Sequence, residues 1–374
     1  MEGMSDYMTG YWRPLDIMTV RDAALSDMVP KMTEMQGYGG FSNPRLIYNL
    51  GHAAFEFMEA TWGKEGVRAY VFALRRSVIG GGDDVYLEAF KTPAGEWDRK
   101  FDAYLKDRFK PFRDKQRPGD YGRDLAPDPR QGHFSNVLSI EPSPSGDLIA
   151  AMMGNARDRE LDIVLMSASD GAIIRHLTRG FDQSSGFEYL ATPGGRWNSV
   201  PWMSWSPNGD HLAYFVRTEK DRSLIVQNVV TGKIEVRIAL TTVDAPESPD
   251  FSPDSTRIAF SGMRNGQADI FTVDLGTKAV VNLTADPVAD YAPTWASDGT
   301  SIVYLARVSG NLKLFRMNPD GSDRTQLTFG THDEGGAQFL DAHTLVFSST
   351  AVDPNEVTDP EAAKNGQILS LIHI

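Results

Sequence analysis

Three features of these 374 residues predict an α + β multidomain chain, helices first and a repeating sheet array after them. The first 117 residues carry apolar side chains at helical spacing, and five turn-and-strand segments recur from Ser143 onward. A polar, proline-rich stretch over residues 117–131 separates the two parts. Residues counted as hydrophobic make up 41% and charged ones 23%, enough for a packed core and too apolar for a disordered chain.

The helices follow in order. Residues 16–27 place Ile17, Val20, Ala24 and Leu25 near helical spacing, and residues 43–61 continue the pattern. Residues 67–74 resume after a break at Gly63 and Gly66. A fourth helix is expected at 84–90. A fifth, at 95–109, puts Trp97, Phe101, Tyr104, Leu105 and Phe109 on one face. The basic residues Lys106, Arg108, Lys110, Arg113, Lys115 and Arg117 are interrupted by Asp107 and Asp114 and read as the solvated end of that helix.

The second part is built on a repeat. Ser143-Pro144-Ser145-Gly146, Ser206-Pro207-Asn208-Gly209, Ser252-Pro253-Asp254-Ser255, Ser297-Asp298-Gly299 and Leu340-Asp341-Ala342 are equivalent. Pro144, Pro207, Pro253, Ser297 and Leu340 lie 63, 46, 44 and 43 residues apart. Six residues beyond each stands a small or β-branched residue, Ala150, Ala213, Ala259, Val303 and Val346, flanked by apolar neighbours. Each copy therefore predicts a tight turn and then a short strand buried on both faces. A period of about 40–45 residues holding about four strands is the spacing of a β-propeller blade. Four blades and part of a fifth are expected. The longer first interval places 19 extra residues around 181–199, a loop open to three readings: partner contact, channel cover or inert insertion.

Composition excludes several classes of function. There is no cysteine, so disulfide scaffolds, thiolate zinc sites and Cys nucleophiles are ruled out. No apolar run reaches the length of a membrane-spanning helix. Residues 1–130 are balanced, whereas residues 131–374 carry 30 acidic against 18 basic residues, so nucleic acid is not expected as a partner. No G-x-S-x-G nucleophile elbow is present.

The repeats resemble those of the TolB-like propellers, W-S-P-D-G-x-x-I-A-F, most closely at residues 205–214 and 251–260. The resemblance covers residues 134–368. It implies a partial TolB-like β-propeller with a protein or peptide partner on the propeller face, and a periplasmic or otherwise extracytoplasmic location. Trp205 and Trp295 are expected to pack between neighbouring blades rather than form a ligand-stacking surface.

Glu2-Gly3-Met4-Ser5-Asp6-Tyr7 resembles the E-G-x-A-[ED]-Y helix of gluzincin zinc peptidases. That resemblance implies Glu2 as a metal-binding carboxylate and Asp6, one turn on, as a support for a ligating imidazole. Tyr48-Asn49-Leu50-Gly51 is similar to the family's Y-x-K-G segment, which implies Tyr48 as donor to an oxyanion, with Leu50 where the family has Lys. From the residues alone, Tyr48 reads first as a core aromatic, because Y-x-x-G is a weak signal. The family's H-E-x-x-H is absent, and no two of the seven histidines lie four apart. One carboxylate is too little for catalytic zinc, which takes three protein ligands and an open position.

The expected organisation is thus residues 1–117 as the helical C-terminal half of a gluzincin-like peptidase domain, 118–133 as linker and 134–368 as a truncated propeller. Residues 369–374 read like one frame of a sequencing adapter, a non-native tail, and Met1 like an internal methionine. Zinc would belong to the full-length protein only, and this chain alone is expected to be catalytically inactive. The alternative is a non-enzymatic extracytoplasmic scaffold that binds envelope proteins.

Overall fold

The computed structural model describes residues 2–10, 12, 14–32, 45–80, 84–113, 122, 123, 125, 134–155, 160–178, 189–190, 201–218, 221–342, 344–350 and 367–373. The chain divides into two compact units, Met1–Gly122 and Arg123–Ile374.

The first unit is helical: α1 (Glu2–Thr9), α2 (Pro14–Leu25), α3 (Arg45–Gly80), α4 (Val85–Phe90) and α5 (Ala94–Arg108). α2 opens on a proline, where the missing N–H leaves no helical bond unmade. α3 is two helices joined at Gly63, whose φ of 67° only glycine adopts at little cost. α4 is capped by the Asp84 carboxylate, which accepts the N–H groups of Tyr86 and Leu87 and, from α5, that of Ala94 at 2.8 Å. The core gathers Val20 and Ala24 of α2, Leu50, Phe57 and Met58 of α3, and Trp97, Phe101 and Leu105 of α5. Among the described residues no helix is long and apolar enough to cross a membrane.

The second unit is made of antiparallel sheets. The first runs β1 (Phe134–Pro142), β2 (Leu148–Asn155), β3 (Glu160–Ser167) and β4 (Ile173–His176). The second contains β5 (Tyr189–Leu190), β6 (Met203–Trp205), β7 (His211–Arg217), β8 (Arg222–Asn228) and β9 (Ile234–Ala239). The third holds β10 (Asp244–Phe251), β11 (Arg257–Arg264), β12 (Gln267–Asp274) and β13 (Val280–Asn282). The fourth holds β14 (Asp290–Trp295), β15 (Ile302–Val308), β16 (Asn311–Met317) and β17 (Thr325–Gln326). β18 (Glu334–Phe339), β19 (Thr344–Ser349) and β20 (Gln367–His373) form the fifth, with Thr344 opposite His373. Of the long interval at 181–199, only Tyr189 and Leu190 are described. They pair with Arg217 and Val216 of β7, and the rest of that loop lies outside the described residues.

The repeated sequence is a repeated hydrogen-bond pattern. Ser143, Ser206 and Ser252 each donate a backbone N–H to the residue opening the next strand, Leu148, His211 and Arg257, at 2.9 Å. Their hydroxyls accept the N–H of those same residues at 3.1, 3.0 and 2.9 Å. Three residues after each serine the chain turns left-handed, at Gly146 (φ 75°), Gly209 (φ 78°) and Ser255 (φ 59°). Ser255 carries a Cβ where Gly146, Gly209 and Gly299 have none. Ser255→Gly is expected to stabilise the sheet unit by about 0.5–1 kcal/mol in denaturant titrations, and a loss of stability would contradict this reading of the turn.

The central strands are buried as their sequences demand. Ala150, Ala213, Ala259 and Val303 are fully buried, and Val346 is half-buried. Trp205 packs with Ala150 and Met152 of the preceding sheet and donates its indole N–H to the Glu141 carbonyl at 2.8 Å. Trp295 packs with Ala259 and Ile270. Both tryptophans fill the space between neighbouring sheets.

Candidate functional site

In the helical unit the two peptidase-like segments meet. α1 packs on α3 through Gly3 and Gly51, so closely that a Cβ on Gly3 would stand 2.3 Å from the Gly51 carbonyl carbon. The crossing explains both glycines by backbone approach alone. Gly3→Ala is expected to cost the helical unit about 2–3 kcal/mol, read as an earlier helical melting transition in circular dichroism. An unchanged transition would mean the helices do not cross there.

This crossing places Tyr7 and Asp6 of α1 near His52 of α3. Tyr7 donates its hydroxyl to Glu59, and burial together with that carboxylate pushes its pKa up to about 12. His52 is buried and lies under Trp12, the rings 3.9 Å apart and 20° from parallel. Burial holds its pKa below the usual histidine value, against the upward pull of Glu56 and Asp6. His52 is therefore a neutral imidazole at neutral pH. Glu56, one turn along α3, accepts the Trp12 indole N–H at 2.6 Å and pairs with Arg108 of α5 at 2.5 Å. Its carboxylate thus fixes the tryptophan that covers the histidine.

Of the three residues singled out in the sequence, Asp6 is half-buried on α1 and acts electrostatically on His52. Tyr48 is half-buried near the start of α3. Glu2 opens α1, and its side chain lies outside the described residues. Leu50, at the position where the resembled family has Lys, is fully buried in the core. Among the described residues no three carboxylate or imidazole side chains converge to hold a metal ion.

In the sheet unit the repeat carries a second set of residues. In two sheets the residue before the motif aromatic bonds the first motif strand to that of the next sheet. Ser204 accepts the Phe251 N–H at 3.2 Å, and Asp250 accepts the Trp295 N–H at 2.6 Å. Glu141 occupies the same position in the first sheet. Burial and the charge of Asp250 raise its pKa to about 8, and burial raises that of Asp250 to about 6.

A further constellation escaped the sequence reading. Thr178, Thr284 and Thr328, each after a leucine, accept the N–H of Ile163, Ile270 and Leu314 at 2.7, 2.9 and 2.9 Å. The residue before each of those donors is buried and charged: Asp162, Asp269 and Lys313. The repeated Leu-Thr pair, some 14 residues past the charged position, was the available signal. β12 packs against β14, where the charge of Asp269 acts on Asp290, and Lys313 faces Glu334; Asp290 and Glu334 are the first residues of β14 and β18. Glu334 lies 3.7 Å from Lys313 and 3.0 Å from His332. Burial raises both Asp290 and Glu334 to about 7 and lowers Lys313 and His332.

Residues 199–370, within the second unit, match the TolB beta propeller domain. Dipeptidyl-peptidase 5 of Porphyromonas gingivalis is 28% identical over 208 residues, 50% of this chain and 29% of that protein. The chain thus spans less than a third of that relative's length. Among solved structures, a TolB-like protein from Agrobacterium tumefaciens aligns at 17% identity and a TM-score of 0.46, covering 61% of this chain and 73% of that one. TolB from Acinetobacter baumannii aligns at 20% identity and a TM-score of 0.42, covering 57% and 51%.

Proposed function

We propose that the propeller unit is a protein- or peptide-binding domain of an extracytoplasmic bacterial protein, and that the helical unit preceding it in sequence descends from the C-terminal half of a gluzincin-like peptidase. The TolB beta propeller match over residues 199–370 supports the binding role. The partner's chemistry follows from charge: the chain has a net charge of −13 and its acidic excess lies beyond residue 130, so a basic peptide segment is the matching ligand. Binding of synthetic basic peptides by the full chain, weakened by salt and absent for acidic peptides, is the expected result of calorimetric titration. Equal indifference to both would overturn the reading.

The peptidase ancestry rests on the Gly3–Gly51 crossing, which brings E-G-x-x-D-Y and Y-x-x-G into one packed pair. In a longer protein Glu2 would be a zinc carboxylate, with Asp6 and Tyr48 as its supports. The chain as it stands is proposed to be inactive. Stoichiometric zinc in the purified chain, measured by plasma mass spectrometry, would contradict that. The buried Leu50, in place of a lysine, favours a second reading in which the helical unit is a relic and the whole chain a scaffold for envelope proteins.

A further inference from the structure

Two neighbouring junctions of the propeller unit are built from equivalent residues with different charges. Asp269 is the third residue of β12 and Lys313 the third of β16. Asp290 opens β14 and Glu334 opens β18, 44 residues apart like their partners. Thr284 and Thr328 accept equivalent backbone N–H groups. At one junction the Lys313 ammonium faces the Glu334 carboxylate at 3.7 Å, with both side chains almost wholly buried. At the other, the lysine is replaced by a second carboxylate.

The surroundings of that acidic pair leave it uncompensated. Asp269 is 3% and Asp290 1% exposed. Asp269 Oδ2 accepts from Asn282 at 2.7 Å, and Thr284 hydrogen-bonds Asp290. Asp269 Oδ1 and Asp290 Oδ2 are buried without a hydrogen-bond partner. The nearby Arg324 is committed to Asp286 at 2.6 Å and to the carbonyls of Leu283 and Thr284. Arg264 and Asp286 also act on Asp269, without contacting its free oxygen. By contrast Asp162, at the equivalent place in the first sheet, has both oxygens engaged, by Asn155 at 2.7 Å and Thr178 at 3.4 Å. Buried carboxylate oxygens left unpaired are costly, and two of them on adjacent acids require a positive charge or a proton.

We propose that a monovalent cation of sodium to ammonium size binds between Asp269 and Asp290, in the place that the Lys313 ammonium takes at the next junction. Lys313 and Glu334 together are neutral, and one monovalent cation with one proton kept on the Asp269–Asp290 pair reaches the same balance.

The test is thermal unfolding of the full chain at pH 8 and constant ionic strength, with sodium or potassium exchanged against choline. Raising sodium from about 5 to 300 mM is expected to raise the propeller transition by roughly 3–6 °C, while choline has no effect. Asp269→Lys copies the neighbouring junction and should abolish the cation dependence. Asp269→Asn, which keeps the shape, should weaken it if the lysine variant does not fold. Transitions that respond to pH but are equal in sodium and choline would overturn the proposal in favour of a shared proton. An equal response to micromolar calcium would overturn the monovalent assignment.

Discussion

Lys313→Ala is expected to destabilise the propeller unit by about 3–5 kcal/mol at pH 8. Lys313 is 1% and Glu334 4% exposed, and they face each other across the junction of β16 and β18. Removing the ammonium leaves the carboxylate in a low-dielectric site with His332, itself held neutral by burial, and the Ser349 hydroxyl as its remaining partners. Proton uptake by Glu334 limits the loss, so the cost should shrink below pH 6. Replacing both residues at once, Lys313→Met with Glu334→Leu, removes the charge and its counter-charge together. That double variant is expected to lie within about 1 kcal/mol of the parent. Denaturant titration of the three variants separates the terms. A single substitution as mild as the double one would show that the pair is not a buried ion pair.

The second large effect is on pH dependence. Glu141, Asp290 and Glu334 have native pKa values raised to about 8, 7 and 7, chiefly by burial. Unfolded, the same carboxyls titrate near pH 4. Between those limits the native state holds more protons than the unfolded one, so stability falls as pH rises. His52 and His332 act in the opposite direction, because burial lowers their pKa, but they cease to matter above about pH 6.5. The carboxyls whose pKa is lowered, such as Asp147, Asp254 and Asp274, titrate below this window. From pH 6 to 8.5 in a sodium-free buffer the propeller unit should lose about 2–4 kcal/mol, the figure being discounted for solvent reaching Glu141. Flat or rising stability over that range would mean these carboxyls are ionised at no cost.

The fold was readable where a residue type answers a local geometric need. Gly146, Gly209 and Gly299 mark left-handed turns, Pro144 and Pro207 start them, and the apolar strands after them are buried as their sequences require. The helices were legible from Trp97, Phe101 and Leu105 on one face and from the break at Gly63. Trp205 and Trp295 were expected between sheets and lie there.

What pairs across strands was not readable. Asp269 and Asp290 are 21 residues apart, as are Lys313 and Glu334, and nothing local distinguishes such buried charges from solvated ones. Their significance comes from packing β12 against β14 and β16 against β18. The role of Glu56 was hidden for the same reason, because Trp12 and Arg108 reach it from distant positions on other segments. Gly3 and Gly51 were noted as parts of separate motifs, yet only the fold shows them touching.

This chain is proposed to bind peptides and not to cut them. The most direct measurement passes a mixture of basic and acidic peptides, with zinc present, over the immobilised full chain and identifies what is retained by mass spectrometry. The account predicts that basic peptides are retained intact and released by salt. New peptide termini that depend on zinc, or failure to retain any peptide, would contradict it.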